Sequence, residues 1–288
     1  MKPRLISLVV IFIMLGTAFP ALVQQQETPP VTLMKISDNL FEIRGGSGAN
    51  GGLYIGDYGV LIIDAKQDKN SVDQVINAVK GLTDKPITHL VNTHSDGDHI
   101  YGNRFFPESV TFVAHENCRK EFFHPASDGS PSEWNDPELA PFIPSSTFRD
   151  KMEIFLGSKK VELWYFGIGH TTGDAVVYFP EEKTAFIGDQ FFTGRPQLIH
   201  SYKGGNSLKY VKTMSKMLET LDVEQVCSGH SDMVTPQVIR DHIGTMILLQ
   251  LKVQNLIEDG KNLEEILAEF PENEQRLITS IFNEITDR

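Results

Sequence analysis

Seven side chains of the metal-binding type stand at the ends of strand-like runs in this chain, and they limit its folds severely. Four lie together in Asn92-Thr93-His94-Ser95-Asp96-Gly97-Asp98-His99, directly after the apolar run Ile87–Val91. The other three are remote and each sits beside a glycine: Gly169-His170, Gly188-Asp189 and Gly229-His230. Imidazoles and carboxylates suit borderline or hard divalent cations. For such residues to act together, strand ends far apart in the chain must meet at one edge. Stacked sheets with helices outside satisfy that requirement.

The remaining sequence fits such layers. Residues 31–64 read as strands, broken by a Ser37-Asp38-Asn39 turn and by the glycine-rich stretch 45–52, which is expected to be a mobile loop. Leu53–Ile55 and Val60–Ile63 form a hairpin ending at Asp64. A helix capped by Ser71 carries Val72, Val75, Ile76, Val79 and Leu82 on one stripe. Strands are expected at Val110–Ala114, Met152–Leu156, Lys160–Phe166, Ala175–Phe179, Thr184–Ile187 and Gln225–Cys227. Helices follow over Asn117–Phe123, over Ser207–Leu221 and from Thr235-Pro236 to Ile257. Residues 124–150 hold five prolines with several Ser and Asp, so they read as an irregular insertion, a lid packed through Trp134, Phe142 and Phe148. The resulting organisation is a signal over 1–24 and a single domain over 31–288.

The signal rests on Lys2 and Arg4, the apolar run Leu5–Leu15 and the small residues after it. That run is too short for a membrane span of ~20 residues, so export to the periplasm or medium without a retained anchor is expected. The formal charge of -12 becomes two units more negative once Lys2 and Arg4 are lost. Such a surface repels phosphate backbones, which disfavours nucleic acid and leaves small molecules as substrates. Cys118 and Cys227 are read as separate thiols, because nothing places them close together.

In His94-x-Asp96-x-Asp98-His99, a tight turn at Gly97 would aim the first pair and the second pair in different directions. With the three later residues, this pattern resembles the metallo-β-lactamase superfamily over essentially all of the chain after the signal. The resemblance implies an α/β fold, a four-layered αβ/βα sandwich of two mixed β-sheets flanked by helices. It also implies two divalent metal ions, zinc first, with iron or manganese as alternatives. One ion would take His94, Asp96 and His170; the other would take Asp98, His99 and His230; Asp189 would bridge them. The family pattern has His where this chain has Asp96, and a carboxylate there makes the core one charge less positive. That change tilts affinity towards harder ions, as in the flavodiiron branch.

Around the ligands, Asp64, Thr93, Thr171 and Asp174 are expected to orient them. Tyr101 is a candidate donor to a developing oxyanion, and Asp98 a catalytic carboxylate. Arg195 and Lys203 are candidate cations for a substrate carboxylate. His89, His115, His124 and His242 are read as structural or surface residues, and His200 as part of a loop facing the cleft. The expected activity is a metal-dependent hydrolase in which a metal-bound hydroxide attacks a small cyclic amide, lactone or ester. The alternatives are a diiron redox protein reducing O2 or NO, argued from Asp96, and a non-catalytic metal-binding protein.

Overall fold

A computed structural model describes residues 28–125 and 128–287, so the expected signal over 1–24 lies outside the described residues. Among the described residues, twelve strands form two sheets. The first has seven strands in chain order: β1 (Thr32–Lys35), β2 (Leu40–Arg44), β3 (Gly51–Ile55), β4 (Val60–Ile63), β5 (Ile87–Val91), β6 (Thr111–His115) and β7 (Ser146–Phe148). β1 to β4 are antiparallel neighbours, whereas β4 to β7 are parallel. The second sheet comprises β8 (Lys151–Leu156), β9 (Lys159–Trp164), β10 (Val176–Phe179), β11 (Thr184–Phe186) and β12 (Gln225–Cys227), with only β11 and β12 parallel.

The period-two alternation of β4 builds the layers. Leu61 and Ile63 face the second sheet and pack with Leu163, Val177, Phe179 and Phe186. Val60 and Ile62 face outward, onto Val72, Val75 and Val79 of α1 (Lys69–Leu82). The outer face of the second sheet is covered by α4 (Ser207–Thr220), α5 (Pro236–Glu258), α6 (Leu263–Leu267) and α7 (Gln275–Thr286) through Tyr210, Met214, Ile239, Ile266 and Ile278. Two mixed sheets flanked by helices therefore form a four-layered sandwich. Among the described residues no helix is long and apolar enough to cross a membrane.

This topology gathers the strand ends. β4 and β5 are parallel, so Asp64 and residues 92–99 emerge at the same edge. In the second sheet, β11 and β12 deliver Asp189 and His230 together. β10 is antiparallel to β11, so its N-terminal end, just after His170, lies at that same edge.

Several local expectations differ from the structure. The 45–52 stretch is anchored rather than mobile: Ala49 N–H donates to Asp98 O, Asn50 N–H donates to Gly229 O, and Gly51 and Gly52 pair within β3. The backbone of this loop thus ties two metal-type loops together, a role that residue type does not announce. α1 is capped by Asp68, which accepts from Ser71 N–H at 2.8 Å; the Ser71 hydroxyl instead accepts from Ser47 N–H. Insertion 124–150 is not irregular throughout. It holds two short 3-10 turns, and its end forms edge strand β7, too short and polar to show an alternation. Trp134 and Phe148 are buried, Trp134 against Phe122. Cys118 and Cys227 are buried free thiols.

Candidate metal centre

The first loop leaves β5 through Asn92, whose side-chain amide exchanges two hydrogen bonds with that of Asn103. Asp96 then occupies the N-cap position of a single helical turn, α2 (Gly97–Ile100), without bonding its backbone. Its carboxylate is left for other partners. That turn separates His94 and Asp96 from Asp98 and His99, and the two pairs enter two donor groups. In one, donor atoms of His94, Asp96, His170 and Asp189 lie within 4.8 Å of one another; in the other, those of Asp98, His99 and His230 do.

Each buried ring is oriented by its other nitrogen. His99 Nδ1 donates to Asp64 Oδ2 at 2.7 Å, and His170 Nδ1 donates to Leu198 O at 2.8 Å. Thr93 Oγ1 donates to Asp64 Oδ2 and accepts from His94 Nδ1 at 3.0 Å. With every Nδ1 carrying its proton, each neutral ring presents an Nε2 lone pair. Those lone pairs face other acceptors: His170 Nε2 is 3.0 Å from Asp96 Oδ2, and His99 Nε2 is 3.1 Å from Asp189 Oδ1. Lone pairs opposed at this distance need a proton or a cation between them. His94 Nε2, His99 Nε2 and Asp189 Oδ1 are buried without a hydrogen-bond partner among the described residues, which fits the same requirement.

Asp189 spans both groups. Its Oδ1 faces His99, while its Oδ2 is 3.9 Å from His94 Nε2 and 3.4 Å from His230 Nε2. Asp98 Oδ2 lies 3.0 Å from His230 Nε2. Tetrahedral ligands at about 2.1 Å from an ion would stand ~3.4 Å apart, so these separations suit coordination. Close approach depends on glycine at two positions. A Cβ at Gly229 would lie 2.3 Å from Asp189 Oδ1, and one at Gly188, where φ is +54°, would lie 2.5 Å from Thr93 Oγ1.

Without a cation, protons must serve. Burial opposes charge on every member, yet Asp96 pushes His170 up to about 9, and Asp189 with Asp98 pushes His230 up to about 9. His99 is raised well above its ordinary value by Asp189 and Asp64 against complete burial. Asp189 and Asp96 are held well below the usual carboxylate range by the facing imidazoles, again against burial. A pair of divalent ions would replace these protons.

The family model described as "Metallo-beta-lactamase superfamily" matches residues 44–230. The chain belongs to the metallo-β-lactamase superfamily. It is 22% identical over 239 residues to a protein of Bacteroides fragilis named "Metallo-beta-lactamase type 2", covering 77% of this chain and 89% of that one. It is 28% identical over 143 residues to "2,4-dinitroanisole O-demethylase subunit alpha" of Nocardioides sp., covering 48% of this chain and only 40% of that relative. A solved metallo-β-lactamase from Pontibacter korlensis shares the fold, with a TM-score of 0.61, 17% identity, and coverage of 75% of this chain and 98% of that one.

Where the superfamily pattern has His, Asp96 of this member is held on three sides. Lys203 Nζ donates to Oδ1 at 2.7 Å, while His200 Nε2 lies 2.8 Å and His170 Nε2 3.0 Å from Oδ2. This corrects two expectations. Lys203 is not a cation waiting for a substrate carboxylate; it is buried against Asp96 and also donates to Ser95 O and Oγ. The charge deficit ascribed to Asp96 is offset by that ammonium, because a carboxylate–ammonium pair carries the same net charge as a neutral imidazole. Asp96 in turn pulls the Lys203 pKa upward against burial, and burial lowers that of His200. The sequence reading missed His200 as a site residue, because a lone His in an irregular loop has no spacing signal.

The other expected site residues fall into three positions. Asp64 is buried in a left-handed conformation (φ 58°) and binds Thr93 and His99; Thr171 and Asp174 bond each other and brace the loop that carries His170. Tyr101 stands partly exposed on the wall of a cavity of about 500 Å³ that opens beside Asp96 and Asp98. Arg195 stacks 3.8 Å over Phe192 and lines a different, smaller cavity. His115 is structural, stacked on Tyr165 and capping α3 (Glu116–Glu121). His242 is not a surface residue: it packs edge-on against Phe191 and Tyr210, and burial lowers its pKa to about 4.

Proposed function

We propose that this chain is a metal-dependent hydrolase of small molecules working through two divalent ions, zinc first. The observation that carries the reading is Asp189, whose carboxylate reaches imidazoles of both donor groups: Oδ1 faces His99, and Oδ2 faces both His94 and His230. Bound there, two cations supply an activated water and polarise the substrate oxygen under attack. The protein's own groups do the rest. Asp98 and His230 are the open members of the set, with side chains 29% and 30% exposed, and Asp98 lines the cavity that also holds Tyr101. Asp98 orients the attacking water and receives its proton. The Tyr101 hydroxyl, on the same cavity wall, donates towards oxygen as charge develops.

The relatives' names support cyclic amides and activated aryl ethers as candidate substrates. The diiron redox alternative drew on the extra negative charge at Asp96, and Lys203 cancels that charge. The test is metal analysis of purified protein together with turnover of chromogenic lactam, lactone and aryl ester substrates. Two zinc ions with chelator-sensitive hydrolysis support the reading. Two irons with visible charge-transfer bands and no hydrolysis overturn it.

A further inference from the structure

Three imidazoles of the centre are oriented through Nδ1, by Asp64 (His99), Thr93 (His94) and Leu198 O (His170). Among the described residues His230 Nδ1 has no such partner, so the placement of that ring falls to its main chain. Asn50 grips that main chain on both sides. Its N–H donates to Gly229 O at 2.6 Å, and its side-chain amide donates to Ser231 O at 3.2 Å. The preceding residue, Ala49, donates its N–H to Asp98 O at 3.2 Å. One short stretch of the 45–52 loop therefore touches the chain at the two most open ligands.

Lys66 in turn holds that stretch. Its side chain is 1% exposed, and its ammonium donates to main-chain oxygens, to Ala49 O at 2.6 Å and more weakly to Gly48 O at 3.4 Å. Burial lowers its pKa to about 8, against the pull of Asp64, Asp98 and Asp68. The residue is also left-handed (φ 64°), as is Asp64 two positions earlier. A buried ammonium and a sparsely populated backbone conformation both cost stability, and they persist where their surroundings fix them.

Resting on the two-ion reading above, we propose that Asn50 and Lys66 are positioning residues for the ion held by Asp98, His99 and His230. Asn50 fixes the main chain on either side of His230, and Lys66 anchors the loop that carries Asn50. Partners of this kind set metal affinity through the geometry of the ligands they hold. The sign of the effect separates positioning from charge. An ammonium near a cation repels it, so charge alone makes the ion bind more tightly once Lys66 is replaced. Positioning makes it bind more weakly.

The test is stepwise zinc titration of the full chain against a chelating dye, in the parent, Asn50→Ala and Lys66→Met. His230→Ala and His170→Ala assign the two binding constants to their donor groups. Asn50→Ala and Lys66→Met should each weaken the constant that His230→Ala abolishes by about 10–100-fold, and leave the one that His170→Ala abolishes within about threefold. Asn50→Ala removes one side-chain amide at a half-buried position, so it decides the matter if Lys66→Met does not fold. An equal fall in both constants marks a general structural role and overturns the proposal. So does an unchanged constant in Asn50→Ala, or tighter binding in Lys66→Met. A parent that binds a single zinc ion sinks the two-ion reading and this proposal with it. Two ions in the parent, with no selective loss in the variants, sink the proposal alone.

Discussion

Replacing Asp96 by histidine restores the residue type common in the superfamily, and in this chain it should be damaging. The Lys203 side chain is 9% exposed and has the Asp96 carboxylate 2.7 Å away. In Asp96→His the ammonium keeps only Ser95 O and Oγ and loses its counter-charge. Removing one partner of a buried pair costs about 3–5 kcal/mol. The two remaining oxygens place this case at the lower end, about 3 kcal/mol. For a chain of this size each kcal/mol moves Tm by about 2–4 °C, so a loss of roughly 6–12 °C is expected. The double variant Asp96→His/Lys203→Met has no orphaned charge and should recover most of that loss. Thermal unfolding in excess chelator measures the effect without metal binding. If Asp96→His melts within 2 °C of the parent, or Lys203→Met adds its own loss instead of reversing the first, the argument for a compensating ammonium is wrong.

Other consequences are equally direct. His170 and His230, each raised to about 9, and His99, raised well above its ordinary value by its two carboxylates against burial, hold protons near neutrality when no cation is bound. Metal binding at pH 7.5 should therefore release about three protons, readable with an indicator dye in weak buffer; release of fewer than one contradicts the geometry. A folded pKa above the unfolded value gives stability that is complete below about pH 6.5 and declines as pH rises through about 9. The metal-free protein should accordingly melt lower at pH 9.5 than at 6.5, and a rise over that range would count against the assignment. Asp64→Asn turns an acceptor of His99 Nδ1–H into a donor or a weaker acceptor, so affinity at the Asp98–His99–His230 group should fall about 10–100-fold. Competition titration against a chelating dye tests this, and an unchanged second binding constant would refute the orienting role of Asp64.

Most of the layered fold could be read from the residues, because apolar periodicity marks long strands and amphipathic helices strongly. The continuous apolar run Val60–Ile63, buried on both faces, and the Thr235-Pro236 start of α5 are examples. What escaped depends on tertiary contacts. β7 is three residues of a parallel edge, and the glycine-rich loop is held by backbone bonds that any residue type could make. At the site, the ligand-type residues announced themselves by spacing beside glycines. Lys203 and His200 did not, because their meaning comes from Asp96, over a hundred positions away in sequence. A loop cation read in isolation looks available to substrate; here it is committed to the Asp96 carboxylate.

The most direct measurement of the central claim is anomalous diffraction from crystals grown with zinc. Two peaks about 3.5–4 Å apart, on either side of the Asp189 carboxylate, are the predicted result. A single peak, or peaks away from Asp98 and His230, would contradict it.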